Sequence, residues 1–400
     1  MTRRFITFVA TIALAWLGLG VAPAVAATDD AALRAALDRI TAAGLPGTFA
    51  EVRDNRSTWR GASGVADVAT GRPMRPGFQH RVASITKTFV ATTVLQLVAE
   101  RKISLDAPLG RYLPEYARDG LTVRMLLNHT SGVGNYVGAL FADPATDVER
   151  YRTETVPPRE LARIGLSMPP TNAPGAGYSY SNTNYILLGL VIEKVTGRAA
   201  AFEVTRRIIW PLGLRGTSFP GTNPRIAGPH SKAYIPWFDG ELRDFSVYNP
   251  SWLWMAGELV STTADLDRFY RALLTGRLLR PAELAEMRTV IPWDPASPES
   301  GGYGLGIYSV ALSCGPVWGH DGLALGHATY SWHSPDGARQ ASIALNMTHY
   351  QVPGEPDLIF RATLEFLDLA LCGGSSAAAR PTTTVPFVPV DGSTRIKLAS

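Results

Sequence analysis

Val82-Ala83-Ser84-Ile85-Thr86-Lys87-Thr88 is the stretch on which the reading of this chain turns. It runs straight into Phe89, Val90, Val94, Leu95 and Leu97, an apolar set that covers most of the circumference of a helix over 86–100. A helix apolar nearly all round lies inside a protein, so a serine is predicted at the mouth of a buried helix. Lys87 follows Ser84 by three residues, one turn on and on the same face. A serine hydroxyl is a weak nucleophile at neutral pH and needs a base. A lysine beside it serves once burial and neighbouring charge lower its pKa, and a helix N-terminus favours a developing oxyanion. The other reading of the same residues is a helix-capping serine followed by a solvated lysine.

Three further segments hold polar groups in patterns that bear on this choice. Tyr178-Ser179-Tyr180-Ser181-Asn182 opens a predicted helix over 181–196. Tyr180 offers a phenol able to relay protons, and Asn182 an amide able to hold a carbonyl; a capping turn with a packed aromatic is the alternative. Trp318-Gly319-His320-Asp321-Gly322 is expected as a small-residue turn between two strands. Such a turn lets a substrate backbone lie along a strand edge, or else is a plain hairpin turn with a buried histidine. Leu126-Leu127-Asn128-His129-Thr130-Ser131-Gly132 reads as a helix end with backbone-bonding polar residues, a structural role.

Working outward, the 400 residues are 46% hydrophobic and 18% charged, with 38 glycines and 29 prolines. That excludes a disordered, collagen-like or coiled-coil chain. The formal charge of +4, with no polybasic run, excludes a nucleic-acid footprint. Residues 1–26 read as a secretory leader: Arg3-Arg4, an apolar run from Phe5 to Val21, and the small-x-small triplet Ala24-Val25-Ala26. A transmembrane anchor is the alternative for that short stretch, and Thr2-Arg3-Arg4-Phe5 is a partial twin-arginine pattern. With no other long apolar run, the expected product is secreted, with no stable membrane insertion. Cys314 and Cys372 are the only cysteines. In an oxidising compartment they are expected to pair, closing a loop of about 59 residues for about 4 kcal/mol on a chain-entropy basis. Residues 373–400 form a low-complexity tail of Gly, Ser, Ala, Pro and Thr with little to bury.

Leu33, Leu37 and Ile40 predict a helix over 30–43, ended by Gly44 and Pro46. Strands are predicted at 47–53 and 57–67, helices around 121–128, 181–196 and 264–275, then strands at 304–311, 316–319, 327–333 and 340–346. Ser334-Pro335-Asp336-Gly337 is a hairpin turn, and a last helix covers 357–370. Strands from both ends flanking a helical middle predict an α/β plus all-α fold. One antiparallel sheet, covered by the terminal helices, carries an inserted helical region. The folded domain spans 27–372, its α/β part about 27–83 and 260–372 and its helical part about 84–259.

In this order and spacing the segments resemble the serine β-lactamase and penicillin-binding family. The branch is that of the class C β-lactamases and the secreted actinomycete D-alanyl-D-alanine carboxypeptidases. Ser84-x-x-Lys87, Tyr180-Ser181-Asn182 and His320-x-Gly322 stand for its three motifs, and the likeness extends through 126–132, Gly189–Gly197, Ala256–Asp267 and Tyr303–Gly306. The resemblance implies a β-lactamase/transpeptidase-like fold with Ser84 acylated and Lys87 and Tyr180 sharing proton transfer. It puts Asn182 and His320 beside the substrate, and makes the backbone N–H groups of Ser84 and Leu323 an oxyanion hole next to Gly322. Trp252 falls where the branch has a cleft-wall aromatic, and the Cys314–Cys372 pair matches the carboxypeptidases' single disulfide. No metal or cofactor is implied; no His-Glu-x-x-His spacing occurs, and His327, His333 and His349 stand singly. The partner is a small-molecule or peptide substrate, acted on by a monomer.

Departures from the branch bear on specificity. Carboxypeptidases of this type hold a free carboxylate with the hydroxyls of His-Thr-Gly-Thr and an arginine on the preceding strand. Here the motif is His320-Asp321-Gly322-Leu323, and Ile307-Tyr308-Ser309-Val310-Ala311 has no arginine. An aspartate there repels a carboxylate. The resemblance therefore implies a D-alanyl-D-alanine carboxypeptidase-type serine peptidase, while an esterase, an amidase or a D-amino-acid peptidase fits the same residues. Class C β-lactamase action ranks behind these, since nothing marks a deacylating water. An α/β-hydrolase needs a Gly-x-Ser-x-Gly elbow that is absent. A silent binder has no use for Ser84, Lys87 and Tyr180 together.

Overall fold

The computed structural model describes residues 29–55, 57–237, 240–348 and 357–373. The expected leader, His349 and the tail beyond Gly373 lie outside these residues. Thirteen strands are described: β1 (Gly47–Arg53), β2 (Thr58–Asp67), β3 (Arg72–Pro73), β4 (His80–Arg81), β5 (Tyr234–Pro236), β6 (Leu242–Asp244), β7 (Val260–Ser261), β8 (Ile291–Pro292), β9 (Gly301–Tyr303), β10 (Tyr308–Leu312), β11 (Gly315–Ala324), β12 (His327–His333) and β13 (Gln340–Leu345). Nine make one antiparallel sheet in the order β3-β2-β1-β13-β12-β11-β10-β9-β8. Strands from the two chain ends meet inside it, where β1 pairs with β13 from Thr48↔Leu345 to Arg53↔Gln340. Nearly every residue of those two strands is buried, as a sheet covered on both faces requires.

The helices Asp30–Ala42 and Leu358–Cys372 cover one face, with Leu33, Leu37 and Ile40 meeting Phe366, Leu367 and Leu371 in one apolar cluster. Burial of each such side chain contributes about 1.5–3 kcal/mol. Both helices begin on an aspartate that accepts an N–H, Asp29 from Ala31 and Asp357 from Phe360. Cys372, the last residue of the second, is bonded to Cys314 in the β10–β11 turn. Behind the other face lies the helix Thr86–Ala99, buried over most of its length, with Asn182–Thr196 and Thr263–Leu274 beside it. The rings of Phe89 and Phe269 stack at 3.7 Å.

Two sequence expectations are corrected. The strand placed at 304–311 starts at Tyr308. The Gly304-Leu305-Gly306 stretch before it turns against the buried helix, Gly306 at φ +74° with Ala91 where a Cβ would lie. The expected turn at Trp318–Gly322 is instead the middle of β11, which runs unbroken to Ala324 because it pairs with β10 as far as Gly319 and with β12 from Trp318 onward. Its glycines serve close backbone approach, Gly322 lying against Val82 and Ser84. Among the described residues no helix is long and apolar enough to cross a membrane.

Candidate active site

Ser84 occupies the single 3₁₀ turn Ala83–Ile85 that leads into the buried helix. Ala83 is held at φ +45°, a left-handed conformation an alanine adopts only under constraint. The constraint comes from 256–260: Val82 N donates to Leu259 O (3.0 Å), Leu259 N to Thr86 Oγ1 (3.1 Å), and Thr86 Oγ1 to Ala83 O (2.7 Å). Ser84 is thereby pushed to the surface of the core, 9% exposed, while Lys87 is fully buried.

The buried Lys87 Nζ has three acceptors: Ser84 Oγ at 3.0 Å, Asn182 Oδ1 at 2.8 Å and Ala256 O at 2.6 Å. Three acceptors match the three N–H bonds of an ammonium. With one proton gone, Asn182 and Ala256 occupy the two that remain, and the lone pair faces Ser84 Oγ. From the other side Tyr180 Oη lies 2.9 Å from Ser84 Oγ. Ser84 Oγ thus sits between two groups able to take its proton. Asn182, at the start of its helix, is in turn held by Asn135 Oδ1, which faces its backbone N (3.3 Å) and Nδ2 (3.4 Å).

Gly322 brings β11 against the nucleophile turn: a Cβ there would lie 2.9 Å from Ser84 N and closer still to Val82 O. Leu323, the next residue, is half-buried and registers with Ala328. His320 is placed differently from expectation. The resemblance implies hydrogen bonding near Tyr180 and the leaving group, but His320 is fully buried and reaches Tyr303, because β11 continues as a strand and carries its side chain into the aromatic core. Its Nδ1 faces Asp321 O (2.5 Å), so the proton sits there, and Nε2 accepts from Tyr303 Oη at 2.9 Å. Burial, then the charge of Lys87, hold His320 down at about 3. Asp321 is also buried, opposite Tyr330, where its charge adds to burial in pushing up the phenols of Tyr308 and Tyr330. It does not line an open cleft. Trp252, expected on the cleft wall, is 5% exposed and packs against Phe141 and Tyr248, with its carbonyl accepting from Tyr136 Oη. That is a core position, since the turn Pro250–Trp252 points the indole inward.

Sequence reasoning missed three contributors. Ala256 acts through its carbonyl, which no side-chain pattern reveals. Tyr303 links His320 to the ring cluster around Tyr180, at 6.4 Å from it. His129, read as part of a structural turn, packs against Tyr180 with ring centroids 4.2 Å apart and a 37° tilt; its place in a polar run after an apolar helix end was the available signal. Behind the site Glu258 is buried, and desolvation lifts its carboxyl to about 8. Among the described residues no group of His, Cys, Asp and Glu side chains is arranged to hold a metal.

The chain is similar to a D-stereospecific amidohydrolase from Streptomyces sp., at 39% identity and TM-score 0.76, over 86% of this chain and 99% of that one. It is also similar to a D-amino acid amidase from Ochrobactrum anthropi SV3, solved with L-phenylalanine amide, at 25% identity and TM-score 0.74, over 85% and 97%. Esterase EstB from Burkholderia gladioli is 34% identical over 240 residues, 55% of this chain and 58% of that protein. The chain spans about half the length of the curated relatives it matches. The family model described as Beta-lactamase matches residues 30–366. A buried Ser-x-x-Lys helix, a tyrosine on the serine and a third motif strand beside them, on this sheet, place the chain in the Beta-lactamase family, within the serine β-lactamase and penicillin-binding protein superfamily.

Proposed function

We propose that this chain is an exported serine hydrolase that cleaves amides and esters of D-amino acids through a Ser84 acyl-enzyme. The observation that carries the chemistry is Ser84 Oγ held between Lys87 Nζ at 3.0 Å and Tyr180 Oη at 2.9 Å. In the proposed cycle the Ser84 proton passes to this pair as Oγ bonds the substrate carbonyl carbon. The oxyanion rests on the N–H groups of Ser84 and Leu323. Tyr180 then returns a proton to the departing amine or alcohol. Water attacks the ester carbonyl and gives a proton to the same pair; the pair returns it to Ser84 Oγ as the carbonyl carbon–Oγ bond breaks, freeing the D-amino acid and Ser84.

The amide and ester classes are favoured by what the leaving-group side lacks. Between Arg288 and Arg339 the chain has no lysine or arginine, so β8–β12 offer no cation to a substrate carboxylate. Half-buried Tyr178 and Trp293, edge to face at 5.3 Å, give the acyl side chain an apolar wall. Likeness to D-stereospecific and D-amino acid amidases supports the same class. The leader-like 1–26 and the Cys314–Cys372 bond support export, and monomeric action on a small-molecule or peptide substrate belongs to the proposal.

The test compares D-phenylalanine amide, L-phenylalanine amide and an N-acyl-D-alanyl-D-alanine peptide on the same preparation, beside Ser84→Ala and Lys87→Met. The D-amide is expected to turn over at least about tenfold faster than the other two, with both variants folded and inactive. Faster release of D-alanine from the acylated dipeptide would select the carboxypeptidase reading. Turnover by Ser84→Ala would end the acyl-enzyme reading altogether.

A further inference from the structure

His129 sits at φ +60° with no exposed surface, a left-handed backbone that is strained for a histidine. Strain of that kind persists only where surrounding contacts impose it. Here the hydrogen bonds run to the segment that carries Tyr180. The His129 carbonyl accepts from Ser179 N at 2.7 Å. Its Nδ1 faces Ser181 N at 3.2 Å and Asn184 Nδ2 at 3.1 Å. Ser131 Oγ donates to Asn184 Oδ1 at 2.7 Å, which leaves the Asn184 NH₂ for the histidine. An Nδ1 with two donors in front of it is an acceptor, so the ring proton is on Nε2 and the imidazole is neutral. Burial first, and the charge of Lys87 next, push its pKa well below the ordinary value, which agrees with a neutral ring.

The imidazole face meets the Tyr180 ring at 4.2 Å with a 37° tilt, and Tyr178 and Tyr303 close on it edgewise at 6.0 and 4.7 Å. Tyr180 Oη therefore reaches Ser84 Oγ from a phenol backed by one flat neutral ring, with the chain on either side of Tyr180 tied to that same residue.

We infer that His129 is a positioning residue: its ring sets the Tyr180 phenol against Ser84 Oγ, while its carbonyl and Nδ1 fix residues 179–184. Its hydrogen bonds run to residues 179–184 and its ring acts through Tyr180, so the inference rests on the proton-transfer role proposed for that tyrosine.

His129→Asn separates the two contributions. Asparagine adopts positive φ readily and presents an oxygen near the place of Nδ1, so the segment stays tied while the ring is lost. On D-phenylalanine amide, kcat is expected to fall about 30-fold with KM within about threefold, the size of a small misplacement of a reacting group. The thermal midpoint should stay within about 3 °C. In a Tyr180→Phe background the same substitution should change kcat less than about threefold, because the group it positions is gone. An equal loss in both backgrounds, or less than about threefold in His129→Asn alone, overturns the inference. If His129→Asn does not fold, Asn184→Ala removes one of the two donors at Nδ1. It should lower kcat by about three- to tenfold with the same dependence on Tyr180, and unchanged kcat overturns the inference. Full activity in Tyr180→Phe by itself would instead locate the failure in the proposed chemistry, and the inference would fall with it.

Discussion

Gly322→Ala is the perturbation that most directly tests whether β11 is part of the reacting site. A Cβ at 322 would stand 2.9 Å from Ser84 N and 3.0 Å from the Val82 carbonyl carbon, nearer still to its oxygen, where ordinary contact begins at 3.4 Å. All of these are backbone atoms, so no side chain can swing away. The strand must retreat from the nucleophile turn by at least about half an ångström at Ser84 N, and by more at the Val82 carbonyl. The turn cannot follow, because Val82, Ala83 and Thr86 are hydrogen-bonded into 256–260 and its core. The retreat opens the gap between the Ser84 and Leu323 amides. Loss of one oxyanion donor costs about 10²–10³ in kcat, and a misplacement near 1 Å costs about 10². The expectation is thus a fall of roughly 100-fold in kcat/KM on an activated ester, with the Ser84–Lys87–Tyr180 contacts kept. The assay is steady-state ester hydrolysis with circular dichroism melting, beside Gly138→Ala, a helical site with open space around the new methyl. A Gly322→Ala enzyme that melts normally and keeps kcat/KM within about threefold would refute the oxyanion geometry.

Two stability predictions follow from the buried ionisable groups and the disulfide. His80, His320 and His333 are held at about 3 by burial, below the 6.5 of an unfolded chain. Between those values the unfolded state binds more protons, so stability is lost as pH falls through that window, by up to about 1.4 kcal/mol per pH unit for each. Glu258 runs the other way: at about 8 against 4.5, it makes stability fall as pH rises from 4.5 to 8. Midpoints measured across pH 4–9 should peak near 6.5, and Glu258→Gln should steepen the rise above pH 4.5 and flatten the fall between the peak and pH 8; unchanged slopes would show that Glu258 does not titrate in the fold. The double substitution Cys314→Ser with Cys372→Ser, cutting a link 58 positions apart, should cost about 4 kcal/mol, or about 5 °C in midpoint for a chain of this size. An unaltered midpoint would mean the unfolded chain gains nothing from release.

Much of the fold and part of the site was legible before any coordinates. The all-round apolar stripe after Ser84 marked a buried helix, and the spacing of Ser84 and Lys87 put both on one face, because a helix repeats every 3.6 residues whatever surrounds it. Alternation and turn residues located the strands 47–53, 327–333 and 340–346, the last of which ends one residue earlier at Leu345, and the two cysteines of the chain implied their own bond. These are local or compositional signals. What tertiary structure alone decided is which distant groups meet. Lys87 finds its third acceptor 169 residues away in a backbone carbonyl. β11 stays a strand through His320-Asp321-Gly322 since its neighbours pair with it, although the small residues locally favour a turn. His320 is turned to Tyr303, Asp321 and Trp252 are sunk in the core, and His129 is pressed on Tyr180. Periodicity encodes which side of an element is buried; it carries nothing about the partner on the far side, and it is that partner's position, set by packing of the whole chain, that turns a serine and a lysine into a site.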